Sequence, residues 1–331
     1  MTARQRLSRR EVAVKFIIKD KVPEHAWMDD ELLGRLPTEV VLLQKIDHEN
    51  VVKFLDFFED ELYYYLVQEL HGCPWQKSEE DTQKTDSTLA STPSLSPSLS
   101  QRSLSERSTD SLEPKTPPPT ESCPLSADKQ AGNSDGSKPV NLIGYCRPGI
   151  TRRSSHDLFE CIEQSDEKRL SESQARQVFA QVVDVVCYLD SLGIAHRDIK
   201  DENLVIDENL KVKLIDFGSA CICDPSKPRP FHTQFYGTAA YASSEILLRK
   251  RYQAGPAEIW TLGVLLSYLL TGNSPFPSPR AAVEGRIVIS EPPGVHLPQE
   301  AVNLMRRCLD PNPFTRIKIQ KVKEHPWLTS S

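Results

Sequence analysis

The apolar patterning of this chain stops at Trp75 and resumes near residue 157, and that gap restricts the possible folds more than any other feature. Between residues 81 and 120, 23 of 40 positions are Ser, Thr or Pro and only six are Leu or Ala. Such a stretch cannot bury enough surface to offset its ordering entropy, so residues 76–150 are expected to be a disordered insert. Its Pro-directed sites Thr92-Pro93, Ser96-Pro97 and Thr116-Pro117 would then be open to other modifying enzymes. The core must come from the two flanks. With 38% hydrophobic residues over 331 positions, they carry enough material for a large core or two lobes.

The flanks differ in character. Before the gap, Val12 to Ile18, Val51 to Phe58 and Leu62 to Val67 read as strands, with one helix from Pro37 to Lys45. After it, Ser171 and Gln174 form a capping-box pattern. Ala175, Val178, Phe179, Val182, Val183, Val186 and Leu189 follow at helical spacing until Gly193. A short hairpin is expected at 204–206 and 212–215, and a second helix from Glu258 to Thr271. No internal repeat is visible.

Several classes are excluded. The longest near-continuous apolar run, Trp260 to Leu270, is too short for a spanning helix, which needs about 20 residues. A formal charge of -6 speaks against a broad nucleic-acid footprint. Eight cysteines without any CxxC pair point to free thiols rather than zinc or a disulfide framework, and hence to a reducing compartment.

His196-Arg197-Asp198-Ile199-Lys200-Asp201-Glu202-Asn203 lies between the long helix and the hairpin, Asp216-Phe217-Gly218 ends the hairpin, and Gly237-Thr238 follows. In this order and spacing the chain resembles the eukaryotic protein kinases. The resemblance implies an α+β bilobal fold: an N-lobe over 1–75, the insert over 76–150 and a helical C-lobe over 151–328. It further implies that Asp198 orients the acceptor hydroxyl and that Asn203 and Asp216 hold Mg²⁺ through hard oxygens. Lys200 would reach the transferring phosphate, as in the Ser/Thr enzymes. Val12-Ala13-Val14-Lys15 matches the strand whose lysine contacts the ATP phosphates, with Glu39 as its helix partner. The Glu69 carbonyl and the His71 amide fall where adenine would bind, and Asp157 where the ribose or a substrate arginine would be met.

From Val12 through Asp47-His48-Glu49-Asn50, Glu69-Leu70-His71-Gly72, Asp157-Leu158-Phe159 and Leu214 to Ala220, the chain is most similar to the catalytic domain of PAS-domain kinases, near the calmodulin-dependent group. Expected partners are proteins presenting Ser or Thr, with basic residues before the acceptor received by Asp157 and Glu202. Arg152-Arg153-Ser154-Ser155 is a candidate self-substrate. A cytoplasmic location is expected, nuclear location and oligomeric state being left open.

Three departures stand out. The first glycine is Gly34, so no Gly-rich phosphate loop precedes Lys15. This is expected to reflect a truncated gene model or a degenerate paralogue, to leave the Lys15 strand as an exposed edge, and to keep a pseudokinase binding module as the alternative. The family's Ala-Pro-Glu reads Ser243-Ser244-Glu245, with Arg316 as the expected partner of Glu245. Glu258 stands where the family has an Asp supporting the catalytic loop.

Overall fold

A computed structural model describes residues 1–6, 8–30, 34–72, 157–291 and 296–329, all within one compact unit. The expectations for the Ser/Thr/Pro-rich insert, its Pro-directed sites and Arg152 to Ser155 lie outside the described residues.

The smaller lobe is an antiparallel sheet in the order β1 (Thr2–Arg4), β2 (Glu11–Ile18), β6 (Tyr63–Glu69), β5 (Phe54–Glu59). Alternation puts Tyr64, Leu66 and Gln68 of β6 on its buried side. The edge of β2, expected to be exposed, is covered over Glu11 to Val14. β1 pairs Thr2 with Ala13, and the Met1 amine and carbonyl bond the Val14 carbonyl and N–H at 2.9 and 2.7 Å, so cover extends to the residue before Lys15.

A hairpin that the sequence did not announce, β3 (Trp27–Asp30) and β4 (Gly34–Pro37), leads into α1 (Thr38–Lys45). Its strands lack alternation; packing holds it, with Trp27 edge-on to Tyr64 at 6.1 Å and Arg35 over the Trp27 ring at 5.3 Å. The strand expected from Val51 starts only at Phe54. Val51 and Val52 are diverted to the larger lobe, where the Val52 N–H donates to the Leu214 carbonyl and the Leu214 N–H to that of Asn50, at 3.1 and 2.8 Å.

The larger lobe is helical: α2 (Leu158–Gln164), α3 (Glu172–Ser191), α4 (Ser244–Leu247), α5 (Ala254–Thr271), α6 (Pro279–Val283), α7 (Gln299–Cys308), α8 (Ile319–Lys323) and α9 (Pro326–Thr329). Three short strand pieces, β7 (Ile194–Ala195), β8 (Leu204–Ile206) and β9 (Val212–Leu214), surround the chemistry-bearing loops, and β10 (Cys221–Ile222) pairs with β7. Both halves of the Ser171/Gln174 capping box form, and the apolar positions read from the sequence are buried along α3.

Helix α5 begins four residues before the expected Glu258. Pro256 sits in its first turn, where a missing N–H removes no intrahelical bond. Buried on all sides, with Trp260 fully enclosed, α5 is the axis of the lobe. Leu42, Leu43 and Val51 of the smaller lobe join the same apolar cluster as α3 and α5. Asn50 strengthens this seam by donating to the Val212 carbonyl at 2.7 Å and to Gln181 Oε1 at 2.8 Å.

Candidate active site

The loop after β7 is pinned from beneath. His196 is completely buried, with Nε2 3.0 Å from the Ile215 carbonyl and its ring edge-on to Phe217 at 4.8 Å. Its backbone N–H and that of Arg197 both donate to Oε1 of Glu258, at 2.8 and 3.2 Å. The extra methylene of Glu258 is therefore accommodated. Burial pushes its carboxyl up to about 7, because the two backbone donors only partly compensate for lost water. Arg197 takes a left-handed conformation, φ 67°, and its guanidinium donates to the Ser219 carbonyl at 2.6 Å.

This scaffold presents Asp198. Its Oδ1 accepts the Thr238 N–H and hydroxyl at 2.9 and 2.8 Å, while Asn203 Nδ2 donates to its carbonyl and Oδ2 at 2.7 and 3.1 Å. Glycine is required before Thr238, since a Cβ at Gly237 would lie 2.5 Å from the Arg197 carbonyl oxygen. Lys200 Nζ is 3.8 Å from Asp198 Oδ2 and 2.5 Å from Glu202. Glu202, expected to wait for a substrate arginine, is already paired.

Across the cleft, Lys15 joins the lobes. Its Nζ lies 2.7 Å from Glu39 in the first turn of α1 and 2.8 Å from Asp216 Oδ1. Asp216 is held at φ 64° and accepts the Gly218 N–H at 3.2 Å. Burial alone would lower the Lys15 pKa, but the two carboxylates outweigh it and the net shift is upward. Burial likewise opposes ionisation of Asp216, yet the Lys15 charge holds it down at about 2. Glu39 is raised, burial exceeding the help it gets from Lys15.

The donor set fits a divalent ion. With Nδ2 of Asn203 committed to Asp198, its side-chain carbonyl oxygen is the atom left to act as a ligand, and the Asp216 carboxylate is ionised; both are hard oxygens suited to Mg²⁺. On the inward face of β6, Gln68 is buried and its Nε2 has no hydrogen-bond partner, one residue before Glu69.

The remaining expected residues turn their side chains elsewhere. The Glu69 carboxylate meets Lys213 of β9 at 2.7 Å and accepts the Lys53 N–H at 2.9 Å. His71 Nε2 lies 2.9 Å from the Lys211 carbonyl. Asp157 bridges to Val205 and caps α2 by accepting the Glu160 N–H at 2.8 Å. Both ends of the undescribed segment are thus fastened to the β8–β9 hairpin. Arg316 grips Glu245 with both terminal nitrogens at 2.9 and 2.8 Å, fully buried. The role of Lys213 was not read from sequence, because it lies in no motif; Gln68 reads from the sequence as a hinge residue, without its unpartnered amide, and Thr238 as part of the Gly237-Thr238 pair, without its bonds to Asp198.

A sequence profile described as the protein kinase domain matches residues 150–328. The chain belongs to the protein kinase family. Its fold is accordingly the bilobal one, with a β-rich first lobe and a helical second. The chain is 31% identical to a "PAS domain-containing serine/threonine-protein kinase" of Mus musculus, over 99% of this chain and 17% of that protein. It is 29% identical to "Serine/threonine-protein kinase PSK2" of Saccharomyces cerevisiae, over 96% of this chain and 21% of that protein. A 37% identity to "CBL-interacting protein kinase 4" of Oryza sativa covers 53% of this chain and 39% of the other. The chain thus spans about a fifth of the length of the first two relatives. Among the described residues, no helix of this kinase domain is long and apolar enough to cross a membrane.

Proposed function

We propose that this kinase domain transfers the γ-phosphoryl group of ATP to Ser or Thr hydroxyls of proteins. The observation that carries this reading is the placement of Lys15 within 2.8 Å of both Glu39 and Asp216, opposite an Asp198 fixed by Asn203 and Thr238. A charge set gathered this closely, with Lys15 and Asp216 still open to the cleft, has an immediate use in neutralising and orienting a triphosphate. A binding module without turnover would have no need of Asp198.

In the reaction, the acceptor oxygen forms a bond to the γ-phosphorus as the bond to the β–γ bridging oxygen breaks. Asp198 orients the hydroxyl and receives its proton, while Lys200 offsets charge on the phosphoryl oxygens. Mg²⁺ held by Asn203 and Asp216 would supply Lewis-acid charge neutralisation on the phosphates. Lys15 anchors the phosphates on the side of the small sheet, and the backbone at Glu69 and His71 receives adenine. Residues 1–33 contain no glycine, so residues 1–331 taken by themselves supply no glycine-rich wrap for the γ-phosphate, and turnover of that span is expected to be low. A substrate arginine N-terminal to the acceptor would compete with Lys200 for Glu202. The use of ATP, together with cysteines that are free among the described residues, supports a reaction in the cytoplasm or nucleus.

The test is incorporation of radiolabelled γ-phosphate into a panel of Ser/Thr peptides with Mg-ATP, alongside Asp198→Asn. Incorporation abolished by the substitution is expected. Equal counts from both proteins would sink the reading.

A further inference from the structure

A hydrogen-bonded turn after α7 holds a phenylalanine out in solvent. Asp310 accepts the Asn312 N–H at 2.9 Å and the Thr315 hydroxyl at 2.7 Å, and Asn312 Oδ1 accepts the Phe314 N–H at 3.1 Å. Arg316 closes the turn on the Asp310 carbonyl at 2.9 Å while anchored on buried Glu245. Phe314, inside this frame, is 81% exposed, the most exposed large hydrophobic side chain among the described residues. Covering such a ring is favourable, and here its backbone is already ordered, which reduces the entropy a partner must overcome.

The ring borders an open groove of about 400 Å³ lined by Phe231, Leu248, Pro311 and Pro313. Phe231 and Leu248 are each 46% exposed. One rim is basic: Arg249-Lys250-Arg251 are exposed and make no ion pair among the described residues, with Arg251 over the Phe231 ring at 5.3 Å. The nearby carboxylates are spent internally, Glu245 on Arg316 and Asp310 on its own turn. On a chain of net charge -6 this is a local cationic edge beside an apolar floor.

The backbone at this rim is strained to display it. Lys250 N–H bonds the Glu245 carbonyl and Arg249 N–H that of Ile246, at 2.9 and 2.8 Å, closing α4 with Arg249 at φ 54°. Glycine adopts that conformation freely, whereas a side chain there is strained.

We propose that this groove docks an extended acidic peptide segment carrying a large apolar side chain. The apolar group packs beside Phe314 and Leu248, and flanking carboxylates meet Lys250 and Arg251. The groove shares no residue with the site of Lys15, Asp198 and Asp216, so it stands or falls apart from the catalytic reading.

The test is fluorescence anisotropy of residues 1–331 with a labelled dodecapeptide of Glu, Asp, Leu and Phe. Two controls replace its acids by Lys or its apolar residues by Ser. Binding is expected for the first peptide only, weakened about tenfold by Phe314→Ser and by the Lys250→Glu/Arg251→Glu pair. Because Phe314 is exposed, Phe314→Ser should leave the melting temperature unchanged, and that measurement separates docking from misfolding. Unchanged affinity in Phe314→Ser, or equal binding of the serine control, overturns the proposal. So does a chain that is dimeric by light scattering, becomes monomeric in Phe314→Ser and binds no peptide, which would assign the groove to a second copy.

Discussion

Oε1 of Glu258 accepts the backbone N–H of His196 at 2.8 Å, so the central helix of the larger lobe holds the loop that presents Asp198. This carboxyl is raised by burial from 4.5 to about 7. Between those values the folded chain retains a proton that the unfolded chain has released, so stability falls as pH rises through the window, by about 3 kcal/mol in all. Glu258→Gln keeps the acceptor oxygen and removes the titration. Urea midpoints measured across the window should be flatter in the variant; a slope equal to the parent's would refute the assignment.

Lys15→Met leaves Glu39 buried without its cation. For a fully buried pair such a loss costs about 3–5 kcal/mol; here it should be smaller, because the Lys15 side chain keeps 36% of its surface in water. The destabilisation is expected to be larger at neutral pH than under mildly acidic conditions, where Glu39, raised by burial, takes up a proton. Thermal melts at the two pH values check the sign, and Lys15→Met/Glu39→Met should recover part of the loss.

Gln68 has a buried donor with no partner. Replacing it with Leu, which is similar in size, removes the desolvation penalty of that group, about 1–3 kcal/mol. Gln68→Leu should therefore raise the melting temperature of the nucleotide-free chain. A lower melting temperature would mean that the amide has a partner in solution.

Gly237→Ala drives a Cβ to 2.5 Å from the Arg197 carbonyl oxygen. Relief requires Thr238 to move away from Asp198. A displacement of about 1 Å at a reacting group costs roughly a hundredfold in rate, so kcat should fall far more than the ATP affinity measured by titration. Parallel losses in both would point to a wider disruption.

The capping box and apolar stripe of α3 were legible because they are local: Ser171 meets Gln174 within one turn, and the buried face follows from spacing. The order of Lys15, Glu39, Asp198, Asn203 and Asp216 was legible for a different reason, its resemblance to the motif order of the protein kinases. What escaped depends on partners distant in sequence. Val51 looks like a strand residue until Leu214 takes its neighbours' hydrogen bonds. Glu69 reads as a hinge residue, and only the fold reveals that Lys213 receives its carboxylate. Pro256 looks like a helix breaker unless its place in the first turn of α5 is known.

His71 and Asp157, which bracket the 84 residues from 73 to 156, are both moored to the β8–β9 hairpin, one through the Lys211 carbonyl and the other at Val205. The free-energy cost of joining two such moorings grows only with the logarithm of the intervening length, about 0.6 kcal/mol per doubling. An eightfold change in length therefore shifts folding by about 2 kcal/mol. Between these two residues the domain has a port: for a flexible foreign sequence spliced there, length alone would cost the fold little.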